Sequence, residues 1–468
     1  MKTSRVLLIS AVVLVAAAGA IFLLRPERGA AVARNVVLIS IDTLRADHLG
    51  CYGYDRPTSP NIDAFAKRGA RFEHAFSSSG WTVPAHMTML TGLDPLAHGV
   101  GGYPHPGKQR PKSDTFVQTL TRNGFIAGGF VGGGYLLPRF GFHLGFDVYK
   151  TKGRHFPLNI DNARGWLRSN KKNERFFLFL HGYDVHKPYT PSPANAGLFV
   201  GDYSGNFKLS ELSPEKPRPS DADLQYAISQ YDAEIRDVDD LLGKLFAEWE
   251  ESGLLEDTLV IITSDHGDEF YEHGHIYHSH SLYDELLHVP LIIVGPGVKP
   301  GVYSTQVGLI DLAPTILSAV GFAPQGAALQ GIDLMPVLRG EVELPSRLLF
   351  SYLNFSEYPY SIAALRSDDW KLIAWDVAGM REQTFDEKRQ DYTYKFRLDR
   401  QDDFNELFDL RNDPGETKDV GSEQPSTHAR LSSVLKRRLA TRDTIIDTEQ
   451  PPKLSPKEIE DLKALGYL

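Results

Sequence analysis

The sequence predicts an α/β protein: a large, mostly parallel sheet sandwiched by helices, with a smaller antiparallel sheet subdomain towards the C-terminus. Three observations predict it. The stretches "NVVLISID" (35–42), "FIAGGFV" (125–131), "RFFLFLHGYD" (175–184), "TLVIITSDHG" (258–267) and "VPLIIVGPG" (289–297) are continuous apolar runs rather than alternating ones, as strands of a parallel sheet covered on both faces require. Helical patterns such as "NIDAFAKRGARF" and "DADLQYAISQYDAEIRDVDDLLGKLFAEWEESG" lie between them, and this alternation is the signature of an α/β sandwich. From about residue 346 the texture changes to short strands with tight turns, in "SRLLFSYL", "IAALRSDDWKLIAW" and "FNELFDLRNDPGE".

Taken in order, the chain divides into an N-terminal segment and linker (1–34), a main α/β domain (35–345), a small sheet subdomain (346–425) and a charged helical tail (426–468). Lys2 and Arg5 precede an uncharged run of 19 residues, 6–24, which Arg25, Pro26 and Arg28 end. The apolar region of a signal peptide is usually ~7–15 residues, whereas ~20 span a bilayer. The expectation is an uncleaved membrane anchor, with a signal cut after "AGA" (18–20) or "AVA" (31–33) as the alternative. Either way the bulk of the chain is expected to be exported, to the periplasmic or extracellular side.

The formal net charge of −10 argues against nucleic acid as a partner, because neutralising phosphates requires clustered Lys and Arg. Cys51 is the sole cysteine among 468 residues, so no intrachain disulfide forms; it reads as a small buried residue rather than a nucleophile.

The polar residues fall where the chemistry would be. Asp42 ends the first strand, His181, Asp184 and His186 end the third, and Asp265 and His266 end the fourth. Ligands of open parallel sheets bind beyond the carboxyl ends of the strands. Three strands thus deliver acids and imidazoles to one edge, a set suited to a divalent cation such as Ca, Mn, Mg or Zn. In "SSSGWTVPAHMTMLTG" (77–92), Thr82 opens a helical run. It is either an ordinary helix cap or a nucleophile whose hydroxyl a neighbouring cation activates. Pro84 suits the first turn of that helix, whose N-terminus would offer N–H groups to an anionic ester.

With these residues the chain resembles the sulfatase family of the alkaline phosphatase-like superfamily. The resemblance covers "NVVLISIDTLRADHLGCYGY", "TSPNIDAFAKRGARFEHAFS", "LTG" (90–92), "HGYDVHKPYTP", "TSDHGDEF", "LYDELLHVPLII", "DLAPTIL", "LFDLRNDPGE" and "LKALGYL". It implies a catalytic α/β domain that cleaves a sulfate or phosphate ester through a covalent enzyme intermediate at a metal site. The departures are specific. Family sulfatases carry a Cys or Ser, followed by x-Pro-Ser-Arg, that is oxidised to formylglycine. Counting back from Thr91-Gly92 puts Thr82 at that position and His86 at the arginine. Threonine cannot become the aldehyde, so no formylglycine is expected. The paired aspartates of the family's first strand appear as Asp42-Thr43, glycine-rich "FVGGGY" replaces an expected lysine element, and the segment before "LYDE" offers His278 and His280 instead of lysine.

The set Asp42, Thr82, Asp265 and His266 looks like the metal-and-threonine site of relatives that transfer phosphoethanolamine or phosphoglycerol. The expected activity is metal-dependent hydrolysis of a small anionic ester, on a glycan or a lipid, through a threonyl intermediate. His186 would assist at the leaving oxygen, with His278, His280 and His86 as further catalytic candidates. A membrane-associated phosphoryl transferase, or a non-catalytic binding relative, are the alternatives.

Overall fold

The strand Asn35–Ile41 is buried at every position. Val36 and Leu38 join the core on one face of the sheet, and Val37, Ile39 and Ile41 the core on the other. That is the period-two alternation of a pleated strand with no solvent face. The computed structural model describes residues 32–440 apart from 101–110, 112, 171–173, 324–328, 354–360, 377–380, 387–390 and 397–403. The apolar run at 6–24 and the tail beyond 440 lie outside the described residues. Among those described, no helix is long and apolar enough to cross a membrane.

The main sheet has eight strands in the order Gly301–Tyr303, Ala70–Phe72, Leu291–Val294, Thr258–Thr263, Asn35–Ile41, Arg175–Gly182, Phe125–Phe130, Val148–Lys150. Helices Thr82–Thr91, Phe116–Arg122 and Leu312–Ala319 cover one face, and Pro60–Ala66, Phe156–Ser169 and Asp221–Glu251 the other. The long helix begins at Ser220, whose side chain accepts from the Asp223 N–H, an ordinary N-cap. Farther along, Asp239 accepts from the N–H groups of Asn61 and Ile62 at 3.0 and 2.7 Å, satisfying the N-terminus of the shorter neighbouring helix.

Two sequence expectations need correction. The run at 289–297 contributes its strand, Leu291–Val294, but the strand is antiparallel to both neighbours. A parallel return needs a crossover to the opposite end of the sheet. Here residues 264–290 stay at the carboxyl end, with only a short hairpin and the short helix Asp284–Leu287, so the chain re-enters from the end it left. The pattern "NIDAFAKRGARF" is helical only to Ala66, and Ala70–Phe72 is a strand. Gly69 marks the break: a Cβ there would stand 2.2 Å from the carbonyl oxygen of Ile293, so only glycine lets the backbone close on the sheet.

The small sheet runs Leu349–Leu353, Ser361–Arg366, Trp370–Asp376, Phe404–Asp409, antiparallel throughout. Ile362, Ala364, Ile373 and Phe408 extend the main core, while Ala363, Leu365, Leu372 and Leu407 pack under Leu431 and Leu435 of the helix Pro425–Ala440. One face therefore belongs to the large domain and one to the terminal helix.

A histidine ties the two parts together. His273 donates from Nδ1 to Glu285 Oε1 at 2.7 Å and from Nε2 to the carbonyl oxygen of Glu416 at 3.0 Å. Both partners are acceptors, so the ring is an imidazolium. Burial alone would lower its pKa, but the hydrogen bond and charge of Glu285 outweigh it and raise the value from 6.5 to about 9. A folded value above the unfolded one means that this contribution is complete below about pH 6.5 and is lost as pH rises through about 9. Urea unfolding across that window should therefore show a flatter decline of stability in His273→Gln than in the wild type; parallel profiles would remove His273 as the cause.

Candidate active site

Asp42 follows the central strand and Asp265 its parallel neighbour, whose register pairs Ser40 with Thr263. Both carboxylates are fully buried. Asp42, Asp265 and His266 each offer one ligand atom, and these atoms all lie within 4.8 Å of one another. His266 donates from Nδ1 to the Gly267 carbonyl at 3.0 Å, which turns Nε2 towards the carboxylates, 3.3 Å from Asp265 Oδ2. Asp42 Oδ1 and Asp265 Oδ2 are buried with no hydrogen-bond partner. Orphaned carboxylate oxygens beside a presented imidazole nitrogen are the donor set of a divalent cation, and these residues fit one.

The electrostatics agree. Burial, and then the neighbouring Asp265, push Asp42 far above the carboxylate range. Burial works the same way on Asp265, but His266, His86 and His181 outweigh it and hold that group down to about 2. Burial lowers His266, and Asp265 and Asp42 more than compensate, so it ends raised. Two acids this close do not both ionise cheaply without a positive charge between them.

Thr82 is the first residue of its helix, and Trp81, in extended conformation, is the N-cap; no side chain caps this terminus. The threonine hydroxyl is thus not spent on the backbone. Its Oγ1 lies 3.2 Å from His266 Nε2. Pro84, third in the helix, lacks an N–H where none has a helical acceptor.

His86 sits one turn later, and both of its ring nitrogens are engaged. Nδ1 donates to the Thr82 carbonyl at 3.0 Å and lies 3.4 Å from Asp265 Oδ2, while Nε2 meets Ser40 Oγ at 2.9 Å. Burial lowers its pKa to about 4, so the neutral ring braces Thr82 and only stands beside Asp265. His181 braces Asp42. The Gly132 N–H donates to its Nδ1 at 3.3 Å, leaving Nε2 to donate to Asp42 Oδ2 at 3.2 Å. Burial lowers this histidine to about 4 as well. The glycine is required, since a Cβ at Gly132 would come within 2.3 Å of the Tyr183 ring. The "FVGGGY" element therefore works through its backbone.

Beyond His266 two further imidazoles follow, the first tilted against it and the second edge-on to the first. The His278 ring lies 4.5 Å from that of His266 and 5.0 Å from that of His186. His278 donates from Nδ1 to Asp268 Oδ1 at 2.6 Å, and Tyr189 donates to the other carboxylate oxygen at 2.8 Å. His186 donates from Nδ1 to the Lys187 carbonyl at 2.6 Å. Burial pushes both rings well below the ordinary histidine value. His280 is placed differently: its Nε2 pairs with Glu269 Oε2 at 2.7 Å and its ring lies 4.9 Å from that of His275. Glu269 also accepts from the N–H groups of His273 and His275, so this pair shapes the hairpin.

The structure thus brings Asp42, Thr82, His86, Asp265 and His266 into one cluster, with His278 and His186 alongside and His280 one shell away. Sequence reasoning left Ser40, Gly132, Asp268 and Glu269 without roles. Only Asp268 and Glu269 left a signal, as two further acids in "SDHGDE".

Comparison with known proteins agrees with this architecture. The sulfatase family model matches residues 34–322. Human arylsulfatase A is 26% identical over 419 residues, covering 75% of this chain and 76% of its own length. The N-acetylglucosamine-6-O-sulfatase of Bacteroides thetaiotaomicron is 24% identical over 443 residues, covering 72% and 78%. Among solved structures, a protein in complex with its substrate D-glucosamine-2-N,6-O-disulfate superposes with a TM-score of 0.70 at 20% identity, over 88% of this chain and 98% of that one. The phosphonate monoester hydrolase of Agrobacterium radiobacter gives a TM-score of 0.64 at 20% identity, over 90% and 99%. With the family model spanning more than half the chain and the fold matched over nearly its whole length, this protein belongs to the sulfatase family of ester hydrolases.

Proposed function

We propose that the chain hydrolyses a sulfate or phosphate ester with Thr82 as the covalent nucleophile and a divalent cation held by Asp42, Asp265 and His266. The observation that carries this reading is the Thr82 hydroxyl, released from capping and set 3.2 Å from His266 Nε2. A cation at these ligands would lower the pKa of that hydroxyl and offset the charge of the ester.

The chain's own residues supply the rest. Trp81 holds the extended entry that makes Thr82 the first helical residue, and the helix N-terminus faces a negative ester with unsatisfied N–H groups. His278 has its Nδ1 proton committed to Asp268 and burial keeps the resting ring neutral, so a proton is gained or lost at Nε2. It takes the proton from Thr82 and passes it to the oxygen of the leaving alcohol. The Thr82 Oγ bond to sulfur or phosphorus forms as the bond to the alcohol oxygen breaks. In the second half water attacks the threonyl ester and gives its proton to His278. Thr82 regains a proton as sulfate or phosphate leaves. His186, edge-on to His278, holds the leaving oxygen in reach.

The names of two similar proteins, an N-acetylglucosamine-6-O-sulfatase and one crystallised with a disulfated glucosamine, favour a sulfated sugar as the substrate. The apolar run at 6–24 favours action at the outer face of a membrane to which the chain is anchored.

Chelation should abolish turnover, and Asp42→Asn or Asp265→Asn should strip the cation from protein passed through gel filtration. Full metal occupancy in both variants would refute the ligand set. Thr82→Ala should lose several orders of magnitude in kcat with its melting temperature nearly unchanged, as removal of a covalent nucleophile does, whereas Thr82→Ser should keep measurable turnover. Substantial turnover by Thr82→Ala would overturn the mechanism.

A further inference from the structure

The short helix Asp284–Leu287 closes the segment that carries Asp265, His266 and His278. Its far side bonds directly to the site. Leu286 accepts at its carbonyl oxygen from the Gly267 N–H at 2.9 Å, and Leu287 from the Ser77 N–H at 2.8 Å. The approach is tight, since a Cβ at Gly267 would stand 2.1 Å from the Glu285 carbonyl oxygen. Gly267 follows His266, and Ser77 begins the run that leads to Thr82.

The near side of the same helix is gripped by the small sheet. Lys371, on the strand Trp370–Asp376, is 0% exposed. Its Nζ lies 2.8 Å from Asp284 Oδ1 and 2.7 Å from Glu416 Oε1. Arg366 donates to Asp284 Oδ2 at 2.7 Å and lies over the Phe76 ring at 3.9 Å. Glu416 completes the ring by accepting from the Asp284 N–H at 2.7 Å. The first strand of the sheet holds the other approach: Ser351 donates to the Ser77 carbonyl, and the Tyr352 N–H to the Ser78 carbonyl, each at 2.8 Å.

A fully buried lysine is costly, and hydrophobic residues of similar volume commonly serve stability as well. A charged pair persists with most reason where it sets geometry. We propose that Lys371, with Asp284 and Glu416, is a positioning clamp through which the C-terminal sheet sets the spacing of Thr82 and the cation ligands. The sheet is then part of the catalytic apparatus rather than an appended layer. The inference rests on the site reading above.

Lys371→Met should lower kcat per folded molecule and weaken Mn(II) affinity, measured by titration on the purified protein, by ~10-fold or more, the scale of lost outer-shell support. KM should be nearly unchanged, and Lys371→Arg should restore most of both. Glu416→Gln, a milder change, should show the same pattern if Lys371→Met folds poorly. Leu435→Ala, buried in the core beneath the terminal helix, loosens the same sheet without touching the clamp, and should keep wild-type kcat and Mn(II) affinity per folded molecule. Wild-type values in folded Lys371→Met and Glu416→Gln, or equal losses in Leu435→Ala, would overturn the clamp. Mn(II) affinity is read without turnover, so the two readings fail separately. An active Thr82→Ala enzyme would sink the threonyl ester and leave the clamp standing.

Discussion

Two carboxylates, Asp42 and Asp265, are buried at the ends of adjacent parallel strands, each with one oxygen that no protein group satisfies. In a site sealed from water, their mutual repulsion and desolvation cost several kcal/mol per charge unless a cation lies between them. The surrounding residues are arranged around that constraint. His266 contributes its Nε2 from the next position in the chain. His181 spends a ring nitrogen on Asp42 while His86 packs 3.4 Å from Asp265, and the two rings are themselves fixed by a glycine N–H, a serine hydroxyl and a backbone carbonyl. Thr82 occupies the remaining direction.

The topology explains how one sheet edge can hold so many groups. Three neighbouring strands end together, and the chain after Thr263 does not leave that edge until Leu291. A crossover helix in the usual place would have carried residues 264–290 across a face of the sheet and away from the site. The reversed strand is the consequence of keeping them there. Such an excursion has few regular hydrogen bonds of its own, and the buried Lys371 together with the half-buried ion pairs of Arg366 and His273 supplies part of what holds it.

Much of this was legible in the sequence, for physical reasons. Strands buried on both faces must be continuously apolar, so the runs beginning at Asn35, Phe125, Arg175 and Thr258 declared themselves, and the acids and imidazoles closing them marked the carboxyl edge. The direction of Leu291–Val294 was not legible, because direction depends on where the preceding residues travel and an apolar run carries no polarity. The helix starting at Asn61 was read too far, since the close approach of Gly69 to Ile293 is a tertiary contact. Of the alternatives for Thr82, the position of a helix start by one residue decides between cap and free hydroxyl, finer than any pattern resolves. Gly132 acts through an N–H that every residue possesses, and Lys371 lies more than eighty residues from Asp284, so neither role leaves a local trace.

The most direct test of the account is accurate mass spectrometry of the peptide containing Thr82, from resting enzyme and from enzyme quenched in acid during steady-state turnover. The account predicts an unmodified threonine at rest, and during turnover a sulfuryl or phosphoryl group located by fragmentation on Thr82. An adduct on another residue, or none under conditions that trap the slow step of Thr82→Ser, would contradict it.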